Sequence, residues 1–278
     1  MKNRSRPAPR MYNDRPTRSE HDRRESPPRN VLFGTLPVLE ALQANARRID
    51  KVMIAEGVRE TRLGEIVELA RSHGVLVSRV SRDQLAKLVR PGANHQGVAA
   101  FVASASYVDA DSIVAAAGDE ALILVLDGVE DPQNLGAVLR SAECSGADGV
   151  IIPDRRAVGL TETVAKASAG AIEYVKVAKV SNLNRLIEDL KEKNIWVVGA
   201  SGEADINYTD WDWTRPTAVV LGNEGKGLHR LVSENCDVLV KIPMYGKIDS
   251  LNVSNAASVI LFEARRQRAT KDYRRSKD

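Results

Sequence analysis

The apolar residues of this chain alternate between helical and strand spacing from residue 31 onward. In TLPVLEALQA, RLGEIVELARSHG and DQLAKLV they recur every three or four positions, which predicts helices. The segments between and after them, KVMIA, VLVSRV and GVAAFVAS, are short and rich in β-branched residues, which predicts strands. We therefore expect a small α/β domain over residues 31–105.

A second and larger alternation begins at residue 121. Its first segment, ALILVLDGV, is a continuous apolar run, typical of a strand buried on both faces of a parallel sheet. Helical and strand patterns then alternate as far as SLNVSNAASVILFEARRQR, which predicts a doubly wound α/β domain over residues 121–270. The polar, alanine-rich residues 106–120 are expected to form a linker that could hold a short helix.

Charge changes this picture mainly at the two ends. Residues 1–30 contain nine Lys or Arg, four Asp or Glu and five Pro, which predicts a disordered basic tail. Two interpretations of that tail stand: a solvated leader, or an arm that grips phosphates. Residues 271–278 are expected to form a basic C-terminal tail. Residues 31–278 hold 31 basic and 33 acidic side chains, so any surface there that binds a polyanion must be a local patch.

Composition also excludes several classes of protein. No apolar run approaches the ~20 residues of a membrane span, and no signal-peptide core is present, so we expect a cytoplasmic protein without a membrane partner. Cys144 and Cys236 lie far apart and outside any metal-ligand spacing. We expect no disulfide and no metal site, and two buried thiols.

Three polar loops are the first places to look for chemistry, because ligands of open α/β sheets bind at the carboxyl ends of strands. In the first loop Asn134 is expected to cap a helix, or to serve a site. Arg140 interrupts an otherwise small and apolar helix and needs a partner there, either a ligand or a nearby carboxylate.

The second loop, Gly222 to Gly227, has glycines that allow close approach of backbone to a ligand, although a plain glycine-rich turn explains them equally well. Its spacing excludes a P-loop and a dinucleotide fingerprint. The third loop contains Ser250, Asn252, Ser254 and Asn255. Helix capping accounts for one of these side chains, so we expect some of the others to line a polar site.

Together, NLGAVLR, LGNEGKGL and SLNVSNA resemble, in order and spacing, the three signature motifs of the SpoU (TrmH) family of RNA 2′-O-methyltransferases, in the SPOUT superfamily. The resemblance extends over residues 31–268. The tracts GLTETVAKASAGAIE and NVSNAASVILFEARRQR are similar to the branch that methylates a guanosine of large-subunit ribosomal RNA.

The resemblance implies a SPOUT-type α/β fold with a deep trefoil knot, preceded by a small RNA-binding α/β domain. It implies S-adenosylmethionine (AdoMet) as methyl donor and no metal. The implied cofactor-binding residues are Gly199, Gly222, Ile242 and Leu251. The implied catalytic residues are Asn134, Arg140, Glu224, Ser250 and Asn252. The resemblance implies that Arg140 is the base that accepts the proton of the 2′-hydroxyl. Because a guanidinium stays protonated at neutral pH, the alternative is that Arg140 orients the ribose-phosphate.

The family also implies a homodimer that completes the site. The stripe that could form its interface, or the chain's own core, consists of Val253, Ala256, Ala257, Ile260, Leu261 and Ala264. His95 and Gln96 are expected either to contact RNA, as Arg140 would, or to shape a turn. A tRNA methyltransferase of the same family and a non-catalytic ribosome-assembly factor are the alternative functions.

Overall fold

The computed structural model describes residues 31–58, 60–89 and 91–275 of the 278-residue chain. The first part of the chain forms β1 (Val31–Phe33), α1 (Thr35–Ala44), β2 (Ile49–Ala55), α2 (Glu60–Ser72), β3 (Leu76–Val80), α3 (Arg82–Ala86) and β4 (Val98–Val102). The second part forms α4 (Ala110–Ala117), β5 (Leu122–Asp127), α5 (Pro132–Ser145), β6 (Gly149–Pro153), α6 (Glu162–Ala167), β7 (Val177–Val180), α7 (Leu183–Glu192), β8 (Trp196–Ala200), β9 (Ile206–Asn207), β10 (Thr217–Gly222), α8 (Arg230–Asn235), β11 (Val238–Lys241) and α9 (Val253–Arg275).

A four-stranded mixed sheet of order β1-β4-β2-β3 organises residues 31–102. β4 runs antiparallel to β1 and β2, whereas β2 and β3 are parallel. The helices α1 and α2 cover one face, where Leu42, Val52 and Ile66 are buried, and α3 covers the other through Leu85. The short strand β1, which hydrophobic spacing did not predict, lies at one edge of this sheet.

A seven-stranded sheet of order β7-β6-β5-β10-β8-β11-β9 organises the second part, and all of its strand pairs are parallel. This confirms the predicted α/β architecture with a mostly parallel sheet. The six residues of β5 are all buried, as expected for a central strand covered on both faces. α5, α6 and α9 pack on one face, and α4, α7 and α8 pack on the other.

The two sheets are joined by polar contacts as well as by a shared apolar core. Glu173, which follows α6, forms a salt bridge of 2.5 Å with Arg47, and their side chains are only 2% and 12% exposed. Lys166 of α6 lies 4.3 Å from the ring centre of Phe33 in β1. The Tyr174 hydroxyl donates to the Glu40 carboxylate at 2.8 Å. Side chains on α1, on β1 and in the turn before β2 thus orient the first sheet against α6 and the turn after it.

The expected linker over residues 106–120 holds a short helix, α4, which packs against β5 and β7 through the buried Ile113 and Val114. Two other local expectations need correction. The predicted tail at 271–278 begins inside α9, which continues to Arg275. Cys144 is exposed rather than buried, because it lies on the outer face of α5. The predicted tail at 1–30 lies outside the described residues, and within the described ones no helix is long and apolar enough to cross a bilayer.

Candidate active site

Three loops meet at the carboxyl edge of the seven-stranded sheet because of strand order. β10 lies between β5 and β8, and its last residue, Gly222, pairs with Asp127 at the end of β5. The loop after β5 and the loop after β10 therefore leave the sheet side by side. The start of α9 packs beside them, since α9 lies along α5.

Asn134 in the first turn of α5, Glu224 in the loop after β10 and Asn252 just before α9 form a hydrogen-bonded cluster that we call the amide–carboxylate trio. The Asn134 Nδ2 and the Asn252 Nδ2 both donate to Oε1 of Glu224, the latter at 2.7 Å. The Asn252 Nδ2 also lies 3.0 Å from Oδ1 of Asn134. One carboxylate oxygen thus accepts from two amides that are 118 residues apart in the chain.

Asn134 is not the helix cap that the sequence suggested. The Asp131 carboxylate caps α5 by accepting from the Gln133 N–H at 2.9 Å, and Pro132 is the first helical residue. Asn134 lies about one turn after the cap and is 8% exposed. Because Asp131 caps the helix, the Asn134 amide can donate to Glu224 instead. Asn252 serves both purposes, because its Oδ1 accepts from the N–H and the hydroxyl of Ser254 while its Nδ2 joins the trio.

Glycine 222 is required by the close return of the loop after β10. A Cβ placed on Gly222 would lie 2.1 Å from the carbonyl carbon of Gly227 and 2.3 Å from the Leu228 nitrogen. The loop is closed by two backbone hydrogen bonds between Asn223 and Gly227, of 3.0 and 2.8 Å. This tight turn holds Glu224 at a fixed distance from the end of β10.

A cavity of about 720 Å³ opens beside Glu224, within the size range of small-molecule sites. Three of the residues implied for cofactor binding line this cavity: Gly222, Ile242 and Leu251. Two of the residues implied for catalysis line it as well, Glu224 and Ser250. Its other apolar walls include Leu221, Val240 and Val253. Among the described residues, no group of three or more His, Cys, Asp or Glu side chains is arranged to hold a metal ion.

Gly199 lies behind this cavity rather than on its surface. A Cβ there would come within 2.9 Å of Cys236 Sγ and within 2.9 Å of a Leu228 methyl, so glycine is needed for packing. Its neighbours in the chain, Ala200 and Ser201, line the cavity instead. Burial raises the pKa of the Cys236 thiol to about 12, so this sulfur remains protonated and inert at neutral pH.

Arg140 and Ser250 are not drawn into the trio. Arg140 is exposed on α5, and no hydrogen bond or salt bridge links it to another of the described residues. The sequence left open a salt bridge between Arg140 and a nearby carboxylate. The described residues contain no such salt bridge. Ser250 is exposed and donates to the Asp249 carboxylate at 3.2 Å.

His95 and Gln96 shape the turn that precedes β4. The Gln96 Oε1 accepts from the N–H of Thr35, the first residue of α1, at 2.8 Å, and Gln96 has a left-handed φ of 53°. The His95 Nδ1 accepts from the Gly97 N–H at 3.1 Å. Both side chains thus have structural partners, and a role in RNA contact remains a prediction.

Sequence reasoning missed two residues that support the site. Asn223 donates from Nδ2 to the Gly128 carbonyl at 2.8 Å and so ties the loop after β10 to the loop after β5. His229 contacts both oxygens of the buried Asp127, through its backbone N–H at 2.7 Å and its ring Nδ1 at 2.8 Å. The signal for Asp127 was present, since a carboxylate at the end of an otherwise apolar strand needs a partner.

Comparison with known proteins identifies the family to which the chain is similar. The SpoU rRNA methylase family matches residues 121–262, and a family described as RNA 2′-O ribose methyltransferase substrate binding matches residues 31–108. A Bacillus subtilis protein assigned to the TrmH family of tRNA/rRNA methyltransferases is 43% identical over 242 residues, which cover 86% of this chain and 96% of that protein.

Two solved structures share the fold over nearly all of both chains. An RNA 2′-O ribose methyltransferase superposes with a TM-score of 0.73 at 29% identity, covering 90% of this chain and 93% of the other. The SpoU methyltransferase AviRb from Streptomyces viridochromogenes, solved in complex with AdoMet, gives a TM-score of 0.72 at 26% identity, covering 86% and 90%. The chain therefore belongs to the SpoU family of RNA methyltransferases.

Proposed function

We propose that this enzyme transfers a methyl group from AdoMet to the ribose 2′-hydroxyl of a guanosine in large-subunit ribosomal RNA. The observation that carries the proposal is the trio of Asn134, Glu224 and Asn252, whose Glu224 lines a cavity of suitable size. Family membership supports RNA 2′-O-methylation. The narrower choice of a ribosomal guanosine rests on the tracts GLTETVAKASAGAIE and NVSNAASVILFEARRQR.

The cavity fits AdoMet in charge as well as in size. Its apolar walls suit an adenine ring, and backbone groups beside Gly222, Ile242 and Leu251 could hold the ring's polar edge. Carboxylates outnumber cations around it, which suits a ligand that carries a sulfonium and an ammonium. The charged lining residues are Glu203, Glu224, Glu234, Asp249, Lys226 and Arg230.

When bound, AdoMet supplies an electrophilic methyl group, so the protein's main task is to position the 2′-hydroxyl for in-line attack. Glu224 Oε1 already accepts two amide hydrogen bonds, which fixes the carboxylate. Oε2 of Glu224 has no hydrogen bond to the rest of the described chain and can accept one from a ribose hydroxyl. Asn134 and Asn252 then act as positioning residues for Glu224.

Arg140 would complete this site from a second copy of the chain. Arg140 is exposed and separate from the trio of its own chain, which supports a role in which Arg140 of the partner subunit reaches the site. Most of the apolar stripe on α9 packs in the chain's own core, where Val253, Ala257 and Ile260 are buried, so we infer that the interface uses another face of this helix. Phe262, on another face of α9, is 49% exposed and could contact the partner.

We also infer that the two parts of the chain have separate roles in RNA binding and in catalysis. The first sheet would bind RNA, and the second part, with AdoMet held in a trefoil knot, would carry out catalysis. The contact of Asn252 with Glu224 and Asn134 is compatible with a knot, because the chain returns after β11 to the loops that follow β10 and β5. A ribosomal substrate is compatible with a cytoplasmic location.

The test is methyl transfer from labelled AdoMet to unmodified large-subunit rRNA and, in parallel, to tRNA transcripts. The modified position is mapped by its resistance to alkaline cleavage. We expect label at one rRNA guanosine. Label in tRNA alone would retain the chemistry and overturn the substrate, and AdoMet binding without transfer to either RNA would favour an assembly factor.

A further inference from the structure

A second cleft lies at the same edge of the seven-stranded sheet, beside the trio rather than within it. It has a volume of about 460 Å³ and opens between the loop after β6, the start of α7 and the start of α8. Asp127 and Gly128, at the end of β5, form its floor. We refer to it as the arginine cleft, because its rim carries Arg155, Arg156 and Arg230.

The charge of the arginine cleft is predominantly positive and largely uncompensated. Its one acidic lining residue is Asp127, and both of that carboxylate's oxygens are already occupied by His229. Arg230 is paired with Glu234 at 2.7 Å. Arg155 and Arg156 are exposed and form no salt bridge with the described residues, so their guanidinium groups are available to a ligand.

The backbone around these arginines is specifically shaped. Arg156 has a φ of 56°, a left-handed conformation that costs energy for a residue with a side chain. It is held by hydrogen bonds on either side, from the Val158 N–H to the Val129 carbonyl at 3.1 Å and from the Asp154 N–H to the Val180 carbonyl at 2.9 Å. The position of the Arg156 backbone at the rim of the cleft is therefore held by its neighbours.

His229 adds a further oriented polar group. Because a carboxylate accepts hydrogen bonds, the ring Nδ1 donates to Asp127, and this leaves Nε2 as the free nitrogen. The Asp127 side chain is 5% exposed whereas that of His229 is 50% exposed, so the pair has a buried anchor and an accessible ring. Gly128, which the ring approaches, is also the residue that Asn223 ties to the loop of Glu224.

We propose that the arginine cleft binds a phosphate of the RNA backbone close to the methylated nucleotide, through Arg155 and Arg156. Guanidinium groups match phosphate oxygens in charge and geometry, and backbone contacts of this kind set the register of a bound strand. The shared loops place this phosphate site next to the trio. The proposal rests on the proposed function, since it assumes an RNA substrate for the neighbouring site.

The test compares RNA binding of the wild type with that of Arg155→Gln/Arg156→Gln over a range of KCl concentrations, using unmodified large-subunit rRNA transcripts as the probe. We expect binding about tenfold weaker at low salt. The slope of log affinity against log salt should fall by about 0.7 for each lost phosphate contact on a single strand. AdoMet affinity and the melting temperature should not change.

The matched control is Arg185→Gln/Lys193→Gln. It removes the same charge from an adjoining cleft, where Arg185 is already paired with Asp189 and Lys193 with Asp111. The conservative variant Arg155→Lys/Arg156→Lys should retain most of the salt slope. The proposal is wrong if the arginine variant and the control variant bind RNA equally well. It is also wrong if inorganic phosphate stabilises the wild type and the arginine variant alike while RNA binding is unchanged.

This outcome is separable from failure of the proposed function. If the wild type methylates RNA and the arginine variant binds it normally, only the phosphate site is overturned. If the wild type binds rRNA through the arginines but methylates neither rRNA nor tRNA, the phosphate site stands and the reaction does not.

Discussion

The side-chain amide of Asn252 donates a hydrogen bond to Oε1 of Glu224 at 2.7 Å, although 28 residues separate them. Asn252 immediately precedes α9, and Glu224 lies in the tight loop after β10. The bond therefore holds the last helix of the chain against the edge of the central sheet. The same carboxylate oxygen accepts from Asn134, so loss of Glu224 leaves the Asn134 amide without its acceptor, whereas the Asn252 amide keeps its contact with Oδ1 of Asn134.

Replacing Glu224 by alanine should reduce methyl transfer far more than stability. We expect unfolding to become easier by about 1–2 kcal/mol, because the nearly buried Asn134 loses its acceptor. The rate should fall about a hundredfold, because the site is no longer held in place. Thermal unfolding and single-turnover methylation measure the two effects. Glu192→Ala, which removes an exposed carboxylate at the end of α7 away from the cavity, is the control, and equal losses in both variants would contradict the role of Glu224.

The loop after β10 allows a stringent test with two glycines. Gly222→Ala should weaken AdoMet binding and destabilise the fold by about 1–3 kcal/mol, because its Cβ would overlap the backbone of Gly227. Gly225→Ala should be tolerated, since the nearest atom to its Cβ is the Asn223 Oδ1 at 3.9 Å. Calorimetric titration with AdoMet compares the two variants. Similar AdoMet affinities would show that loop closure at Gly222 does not shape the cavity.

The contact between the two sheets should make stability depend on pH in a predictable direction. Burial raises the pKa of the Glu173 carboxyl, and Arg47 partly opposes this. In Arg47→Ala the pKa should rise further. A raised folded-state pKa contributes stability that is present below the unfolded value near 4.5 and is lost as pH rises through the folded value.

The deficit of Arg47→Ala relative to wild type should therefore be larger at about pH 8 than at about pH 5, where more of Glu173 is protonated. At the higher pH it should reach about 3 kcal/mol, as expected when a buried carboxylate loses its cation. The neighbouring Arg48→Ala is the control, because the Arg48 side chain is 81% exposed and its pair with Asp50 contributes little. Denaturant unfolding at both pH values measures the deficits, and a pH-independent deficit would contradict this assignment.

If Arg140 acts across a dimer, two inactive variants should complement each other. Arg140→Ala and Glu224→Ala would each be inactive alone, but a mixed dimer contains one site with both residues intact. Random mixing of the subunits in equal amounts should restore about a quarter of the wild-type activity, because the dimer is symmetric. Absence of recovery, with exchange shown by mass spectrometry, would contradict a shared site.

Arg140→Ala alone should leave the melting temperature nearly unchanged, because the side chain is exposed and makes no hydrogen bond to the described residues. A change in the pH dependence of methyl transfer would then favour a role in proton transfer, whereas a uniform loss of rate would favour orientation of the ribose-phosphate.

The sequence by itself determined the order and type of most elements. The continuous apolar run of β5 predicts a strand buried on both faces, and the three polar motifs predict where chemistry lies along the chain. These features are local, since hydrophobic period and loop composition are read within a few residues. Short elements such as β1 and β9 were missed because two or three residues carry no measurable period.

Only the tertiary structure decided which side chains meet. The insertion of β10 between β5 and β8 brings Glu224 to Asn134, and packing of α9 along α5 brings Asn252 to both. The tertiary structure also left Arg140 outside the trio of its own chain and placed Arg155 and Arg156 in a cleft beside that trio. Such contacts depend on strand order and helix packing between residues far apart in the chain, and no local pattern encodes them.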